Sequence, residues 1–264
     1  MGAGFTTVFS PALEHDVHLS FLLPEILKDK YFPEGVKDEP WLIYCLHGYS
    51  SGSQEWIRKS QIEEFTKTLN AVFIFPDTAT EFYSDSKRGL KYGTFLMDEL
   101  PVIVEKWFGI KHNREKTLVM GLSMGGYGAL KWAFSRPEYF GGCGSFAPVV
   151  DLANSAEFDP LAFENLLKIF GSKDAMVGTD ADVFQLVNDF NKQDTLKMRL
   201  YHCCGEEDFL YAQNLDFNDF VLKHNKNLTY TFETGPGLHN WLYWNQKIVK
   251  ALSFLGCDFK INFQ

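Results

Sequence analysis

No uninterrupted apolar stretch in the sequence approaches the roughly 20 residues that cross a bilayer as a helix, so no membrane span is expected. Paired cysteine spacing is also missing. Cys45, Cys143, Cys203, Cys204 and Cys257 form an odd set of five without a Cys-x-x-Cys motif, and no secretory leader is legible at the start. Reduced thiols in a cytoplasmic protein are the expectation. Positive charge is in deficit, with 25 Lys and Arg against 34 Asp and Glu and a net charge of −9, which disfavours long-range attraction to a polyanion. Nucleic acid is therefore not an expected partner. There is no internal repeat, low-complexity tract or interdomain linker; Asp38-Glu39-Pro40 and Gly235-Pro236-Gly237 read as local turns. The opening Met1-Gly2-Ala3-Gly4-Phe5-Thr6 fits the loose pattern for N-myristoylation, but a single acyl chain gives only marginal membrane affinity, and no membrane partner is expected.

What is present is an ordinary globular composition, 45% hydrophobic and 22% charged over 264 residues, enough to bury a large core. One domain spanning residues 1–264 is expected. His15 to Leu23 alternates, placing Val17, Leu19 and Phe21 on one side, as a half-exposed strand of an N-terminal antiparallel pair does. Trp41 to Leu46 and Ala71 to Phe75 are short continuous apolar runs of the kind buried on both faces of a parallel sheet. Between them Ile62, Phe65 and Leu69 recur at helical spacing over Gln61 to Leu69. A further helix is expected after Thr94 and runs to Trp107, with Pro101 kinking it or opening a new first turn. Strands are expected at Thr117 to Gly121, Phe140 to Phe146, Lys197 to Cys203 and Leu228 to Glu233, with helices at Met124 to Ser135 and from Trp241 to about Leu255. Alternating strands and helices predict an α/β architecture, a mostly parallel sheet covered on both faces. Residues 151–195 break the rhythm. Helical around Leu161 to Phe170 and Val183 to Phe190 and rich in phenylalanine, they read as an inserted cap.

Gly121-Leu122-Ser123-Met124-Gly125 matches the nucleophile elbow, in which serine sits on a strained turn between a strand and a helix. Leu118-Val119-Met120 before it and Gly126-Tyr127-Gly128-Ala129 after it supply that strand and helix. A serine hydroxyl is a weak nucleophile, so a base must take its proton, and in this fold the chain order is serine, acid, histidine. After Ser123 come only His202, His224 and His239. His202 lies within a buried strand and His224 ends a charged helix, whereas His239 sits in a flexible turn between the last strand and the last helix. The acid belongs at the end of the strand from Lys197 to Cys203. Asp208 is preferred there by spacing, with Glu206 and Glu207 as rivals on the same turn. An oxyanion needs two amide donors: Met124, next after the nucleophile, and Tyr49 in the loop His47-Gly48-Tyr49-Ser50-Ser51-Gly52. His47 precedes Ser123 and is assigned to bracing that loop.

Leu46-His47-Gly48-Tyr49, the stretch Tyr92 to Pro101, the elbow through Gly128, Cys204-Gly205-Glu206-Glu207-Asp208-Phe209-Leu210-Tyr211 and Gly237-Leu238-His239-Asn240-Trp241 together resemble the bacterial tributyrin esterases. These belong to the wider esterase D family, with S-formylglutathione hydrolases, feruloyl and acetyl-xylan esterases and mycolyltransferases. The resemblance implies an α/β-hydrolase fold and a catalytic triad of Ser123, Asp208 and His239, favouring Asp208 over its neighbours. Asn240 departs from the acidic residue expected after the histidine, and residues 151–195 match least. The expected activity is hydrolysis of short-chain acyl esters through an acyl-enzyme, with no metal or organic cofactor and a small-molecule ester as partner. Phe158, Phe163, Phe170 and Phe184 are candidate walls of the acyl pocket, although phenylalanines at helical spacing more often form plain core. A thioester hydrolase of the S-formylglutathione type, a feruloyl or acetyl esterase acting on sugar esters, and an acyltransferase share the same chemistry. A catalytically silent binding protein would be the alternative outside enzymes. A homo-oligomer is compatible with the sequence, but no residue pattern specifies one.

Overall fold

The computed structural model describes residues 2–24, 34 and 38–259. Met1 of the myristoylation pattern lies outside them, and Gly2 opens the first strand. Eight strands form one sheet: β1 (Gly2–Ser10), β2 (His15–Leu23), β3 (Trp41–Leu46), β4 (Ala71–Pro76), β5 (Thr117–Leu122), β6 (Gly142–Phe146), β7 (Met198–Cys203) and β8 (Leu228–Glu233). Their spatial order is β1-β2-β4-β3-β5-β6-β7-β8. β2 runs antiparallel to both of its neighbours, and every pairing from β4 to β8 is parallel. The half-exposed reading of β2 and the doubly buried reading of β3 and β4 both hold. Along β3, Leu42, Tyr44 and Leu46 enter the core on one side of the sheet while Ile43 and Cys45 enter the core on the other, as a period of two requires.

The helices are α1 (Glu55–Lys59), α2 (Ile62–Phe65), α3 (Tyr92–Thr94), α4 (Leu100–Phe108), α5 (Met124–Ser135), α6 (Pro160–Phe170), α7 (Val183–Asn191), α8 (Tyr211–His224) and α9 (Trp241–Phe254). α5 packs on β5 and β6, and α9 packs on β6 and β7. Ile248 and Leu252 of α9 belong to one core, whereas Tyr127 and Trp132 of α5 belong to the other, so the two helices cover opposite faces. Residues 151–195 contain α6 and α7, and α7 lies against α5.

Two local expectations need correcting. The helix expected over Gln61 to Leu69 holds helical geometry only from Ile62 to Phe65, and Thr66 turns its hydroxyl back onto the Glu63 carbonyl. That local bond competes with propagation of the helix. The short α1 just before it was not anticipated. The helix expected after Thr94 starts at Tyr92 and continues through a π-helical turn at Phe95–Glu99 into α4. Pro101 lies in the first turn of α4, directly after the π-helical turn in which the Leu100 N–H reaches back to the Phe95 carbonyl, so the widened turn falls where the proline interrupts the helix ladder.

Strand register positions the site. Leu46 lies opposite Gly121, Leu122 opposite Phe146, Phe146 opposite Cys203, and Cys203 opposite Glu233. The carboxyl ends of β3, β5, β6, β7 and β8 therefore finish level with one another. The loops that carry Tyr49, Ser123, Asp208 and His239 all leave the sheet along this one edge, the place where parallel sheets present ligand sites.

Candidate active site

Ser123 occupies the single residue between β5 and α5, with φ 56° and ψ −121°. A serine held in this region is strained, and such strain persists only where the surroundings enforce it. The enforcement is visible on both sides. A Cβ at Gly121 would come within 2.0 Å of the Gly125 carbonyl oxygen, and one at Gly125 within 2.3 Å of the Leu46 carbonyl oxygen. The Ser123 N–H donates to the Phe146 carbonyl at 2.9 Å, and the Tyr127 N–H donates to the Ser123 carbonyl at 3.1 Å, so the backbone is anchored at both ends. The hydroxyl itself makes no hydrogen bond among the described residues. The turn projects it from the amino end of α5, clear of the helix ladder.

Asp208 and His239 meet directly. The His239 Nδ1 lies 2.8 Å from Asp208 Oδ2, and the Asp208 side chain is wholly buried. Its other oxygen accepts the Leu210 N–H at 2.9 Å. Burial pushes the pKa of the nearby Cys204 thiol far up, and the charge of Asp208 pushes it the same way, so the thiol stays protonated beside the carboxylate. The two loops are stitched together as well, Glu206 N–H donating to the Gly235 carbonyl at 3.0 Å and Glu207 N–H to the Gly237 carbonyl at 3.1 Å. The rivals of Asp208 are engaged elsewhere. Glu206 accepts from Thr234, and the Glu207 carboxylate accepts the Gly237 N–H, one turn before the histidine.

The loop after β3 lies against Ser123, since a Cβ on Gly48 would sit 3.8 Å from the Ser123 Cβ. His47 is buried and fully engaged, donating from Nδ1 to the Gly48 carbonyl at 2.8 Å and accepting the Thr78 N–H at Nε2 at 3.1 Å. Burial lowers its pKa, which keeps it in the neutral form those two bonds require. It braces the loop. The Gly48 N–H is consumed by Glu55 at 2.7 Å, whereas the Tyr49 N–H has no acceptor among the described residues. Met124 opens α5, so its N–H has no intrahelical partner either. Two amides are thus left open beside the serine. Glu55 was not anticipated: a glutamate opening a short polar helix carries no spacing signal, and its role depends on burial that only tertiary structure supplies.

Aromatic rings surround the imidazole. Phe209 lies 4.6 Å from His239 between centroids, Trp244 lies 5.0 Å away edge-on, and Phe158 packs on Phe209 at 5.8 Å. Of the four phenylalanines considered as acyl-pocket walls, only Phe158 reaches this cluster. Phe184 packs on Phe217 and Phe220 of α8, Phe163 packs against the main core, and Phe170 lines a separate recess with Ser84 and Lys131. The apolar stripes of α6 and α7 turn toward the body of the protein, as helical spacing dictates for a core face. Among the described residues, no group of three or more His, Cys, Asp or Glu side chains is placed to hold a metal ion.

The esterase family model, described as "Putative esterase", matches residues 10–255, and the chain belongs to that family. It is 28% identical over 256 residues to an acetyl esterase of Caldicellulosiruptor saccharolyticus, covering 94% of this chain and 95% of the relative. The fold is similar to that of the fluorophosphonate-binding serine hydrolase FphF of Staphylococcus aureus, with a TM-score of 0.83, 27% identity, and 96% and 98% of the two chains covered. It is also similar to the S-formylglutathione hydrolase FrmB of the same organism, with a TM-score of 0.79, 26% identity, and 97% and 99% covered. The protein is a serine carboxylesterase of the α/β-hydrolase fold.

Proposed function

We propose that Ser123, His239 and Asp208 form the catalytic triad of this carboxylesterase, that the Met124 and Tyr49 amides form its oxyanion hole, and that its substrates are esters of short acyl chains. The observation that carries the reading is the 2.8 Å contact between a buried carboxylate and an imidazole on the loops of adjacent strands, beside a serine in a strained elbow. A carboxylate only accepts, so His239 carries its proton on Nδ1 and offers Nε2 as base. Nε2 removes the hydroxyl proton as Ser123 Oγ attacks the ester carbonyl. The oxyanion that forms is held by the two open amides, and its collapse expels the alcohol, which takes the proton back from Nε2. Water then attacks the acyl-enzyme with His239 again as base, and the carboxylic acid leaves. The Ser123 hydroxyl and the His239 imidazole are not hydrogen-bonded to each other, a contact that substrate binding is expected to tighten.

Short acyl chains are favoured because Phe158 and Phe209 close in on the imidazole from the side of residues 151–195, which we read as a cap on a single domain. Similarity to an acetyl esterase points the same way. The test is a series of p-nitrophenyl esters from acetate to decanoate, run beside Ser123→Ala. Turnover concentrated in the acetyl to butyryl range and absent from the variant is expected; equal turnover of decanoate would overturn the chain-length assignment. A thioester substrate is the second reading, supported by the likeness to FrmB, and S-formylglutathione included in the same series separates the two. Cytoplasmic residence fits five cysteines that are all buried free thiols. No helix among the described residues is long and apolar enough to cross a membrane.

A further inference from the structure

The carboxylate of Glu55 is almost wholly buried and touches both halves of the site from behind. Its Oε2 accepts the Gly48 N–H at 2.7 Å, one residue before the Tyr49 amide. Its Oε1 accepts Trp241 Nε1–H at 3.3 Å, two residues after His239, and the Lys59 ammonium at 3.1 Å. Neighbouring contacts reinforce this bridge. Trp56 Nε1–H donates to the Leu46 carbonyl at 2.9 Å, the Trp56 and Trp241 rings meet edge to face at 5.3 Å, and Asn245 of α9 donates to the Lys59 carbonyl at 3.0 Å. The short helix α1 is thereby fixed to the end of β3 on one side and to the start of α9 on the other. No other side chain among the described residues hydrogen-bonds both the oxyanion loop and the segment following the histidine.

We infer that Glu55 is a positioning residue for acyl transfer, its two carboxyl oxygens holding the Tyr49 amide and the His239 imidazole at a fixed separation. The inference rests on the triad and oxyanion assignments above. Both groups that Glu55 binds at the site are N–H donors, and a carboxylate has an oxygen for each. Glutamine has only one oxygen, so in Glu55→Gln one of the two donors must face an NH2 group. The oxyanion donor and the base would then lose their common support. The effect falls on the transition state, where both act, and spares substrate capture by the aromatic walls.

The test is steady-state hydrolysis of p-nitrophenyl acetate by Glu55→Gln, Trp241→Phe and the double variant, each normalised to active sites titrated with a fluorophosphonate. Glu55→Gln is expected to lower kcat per titrated site about 10- to 100-fold with little change in KM, the scale of cost for small misplacement of reacting groups. Trp241→Phe removes one donor while keeping an aromatic ring, and is expected to lower kcat by a smaller factor. The double variant is expected to be no slower than Glu55→Gln alone, because one device is lost once. An unchanged kcat per titrated site in Glu55→Gln, or losses that simply multiply in the double variant, would overturn the inference. Should Glu55→Gln fail to fold, a wild-type kcat in Trp241→Phe overturns it independently. Ser123→Ala run in parallel keeps the two levels apart: residual activity there strikes the triad assignment, whereas an inactive Ser123→Ala beside a fully active Glu55→Gln strikes only the role of Glu55.

Discussion

A carboxylate accepts hydrogen bonds and never donates them, and that asymmetry makes Asp208 more than a spectator. Asparagine in its place could present an NH2 group to Nδ1 and turn the imidazole to the wrong tautomer. Asp208→Asn is accordingly expected to lower kcat by roughly 10⁴-fold with the fold intact, the scale known for such replacements. Glu207→Gln keeps an oxygen able to accept the Gly237 N–H and should cost little. Comparing kcat of the two variants beside their circular dichroism checks the pair; a severe loss in Glu207→Gln with mild loss in Asp208→Asn would reassign the acid. At this scale the sequence was informative where chemistry restricts the choice. Chain order left three histidines, and a buried strand and a charged helix end set His202 and His224 aside; the structure finds His202 bonded to Asn214 at 2.7 Å within the core. Glu55 escaped notice because nothing in Gln54-Glu55-Trp56 separates a buried glutamate from a solvated one.

Asn240 shows how an element end can explain a departure from a family pattern. Its side-chain oxygen accepts the N–H groups of Leu242 and Tyr243 at 3.0 and 3.2 Å, capping α9 immediately after the histidine. Aspartate would cap equally well, so Asn240→Asp is expected to leave stability nearly unchanged, whereas Asn240→Ala should cost about 1 kcal/mol. Urea unfolding midpoints of the two variants check this, and equal losses would remove the capping role. Strands and long helices were legible from periodicity, to the residue for β2, β3, β8 and α5. The helical turn at Glu55, the early end of the helix at Ile62 and the π-helical form at Phe95 were not, because pieces of a few residues carry too little periodicity and are set by side-chain bonds and by Pro101.

Across the whole molecule, level strand ends convert distant stretches of chain into one site, and the parallel sheet that achieves this, though not its strand order, follows from alternating strands and helices. The sequence does not reveal which side chains of residues 151–195 face the site, since a phenylalanine stripe reads the same toward core or pocket. The buried histidines add a global property. Burial pushes the pKa of His202 down to about 4 and lowers that of His47. In the unfolded chain both take up protons below about 6.5, while in the native state they do not. The His202 contribution to stability is therefore complete above pH 6.5 and is lost as pH falls from there toward 4, by roughly 3 kcal/mol, and that of His47 is lost in the same direction. Unfolding free energies measured between pH 7 and 4.5 should show a shallower decline in His202→Asn than in the wild type; parallel declines would contradict the assignment.

The central claim concerns which oxygen becomes acylated. Mass spectrometry of the intact protein after fluorophosphonate treatment, followed by peptide mapping, reads it directly. The account predicts one adduct per chain, on Ser123, absent from Ser123→Ala and formed much more slowly in His239→Ala. An adduct on another residue, or one that persists in Ser123→Ala, would contradict it.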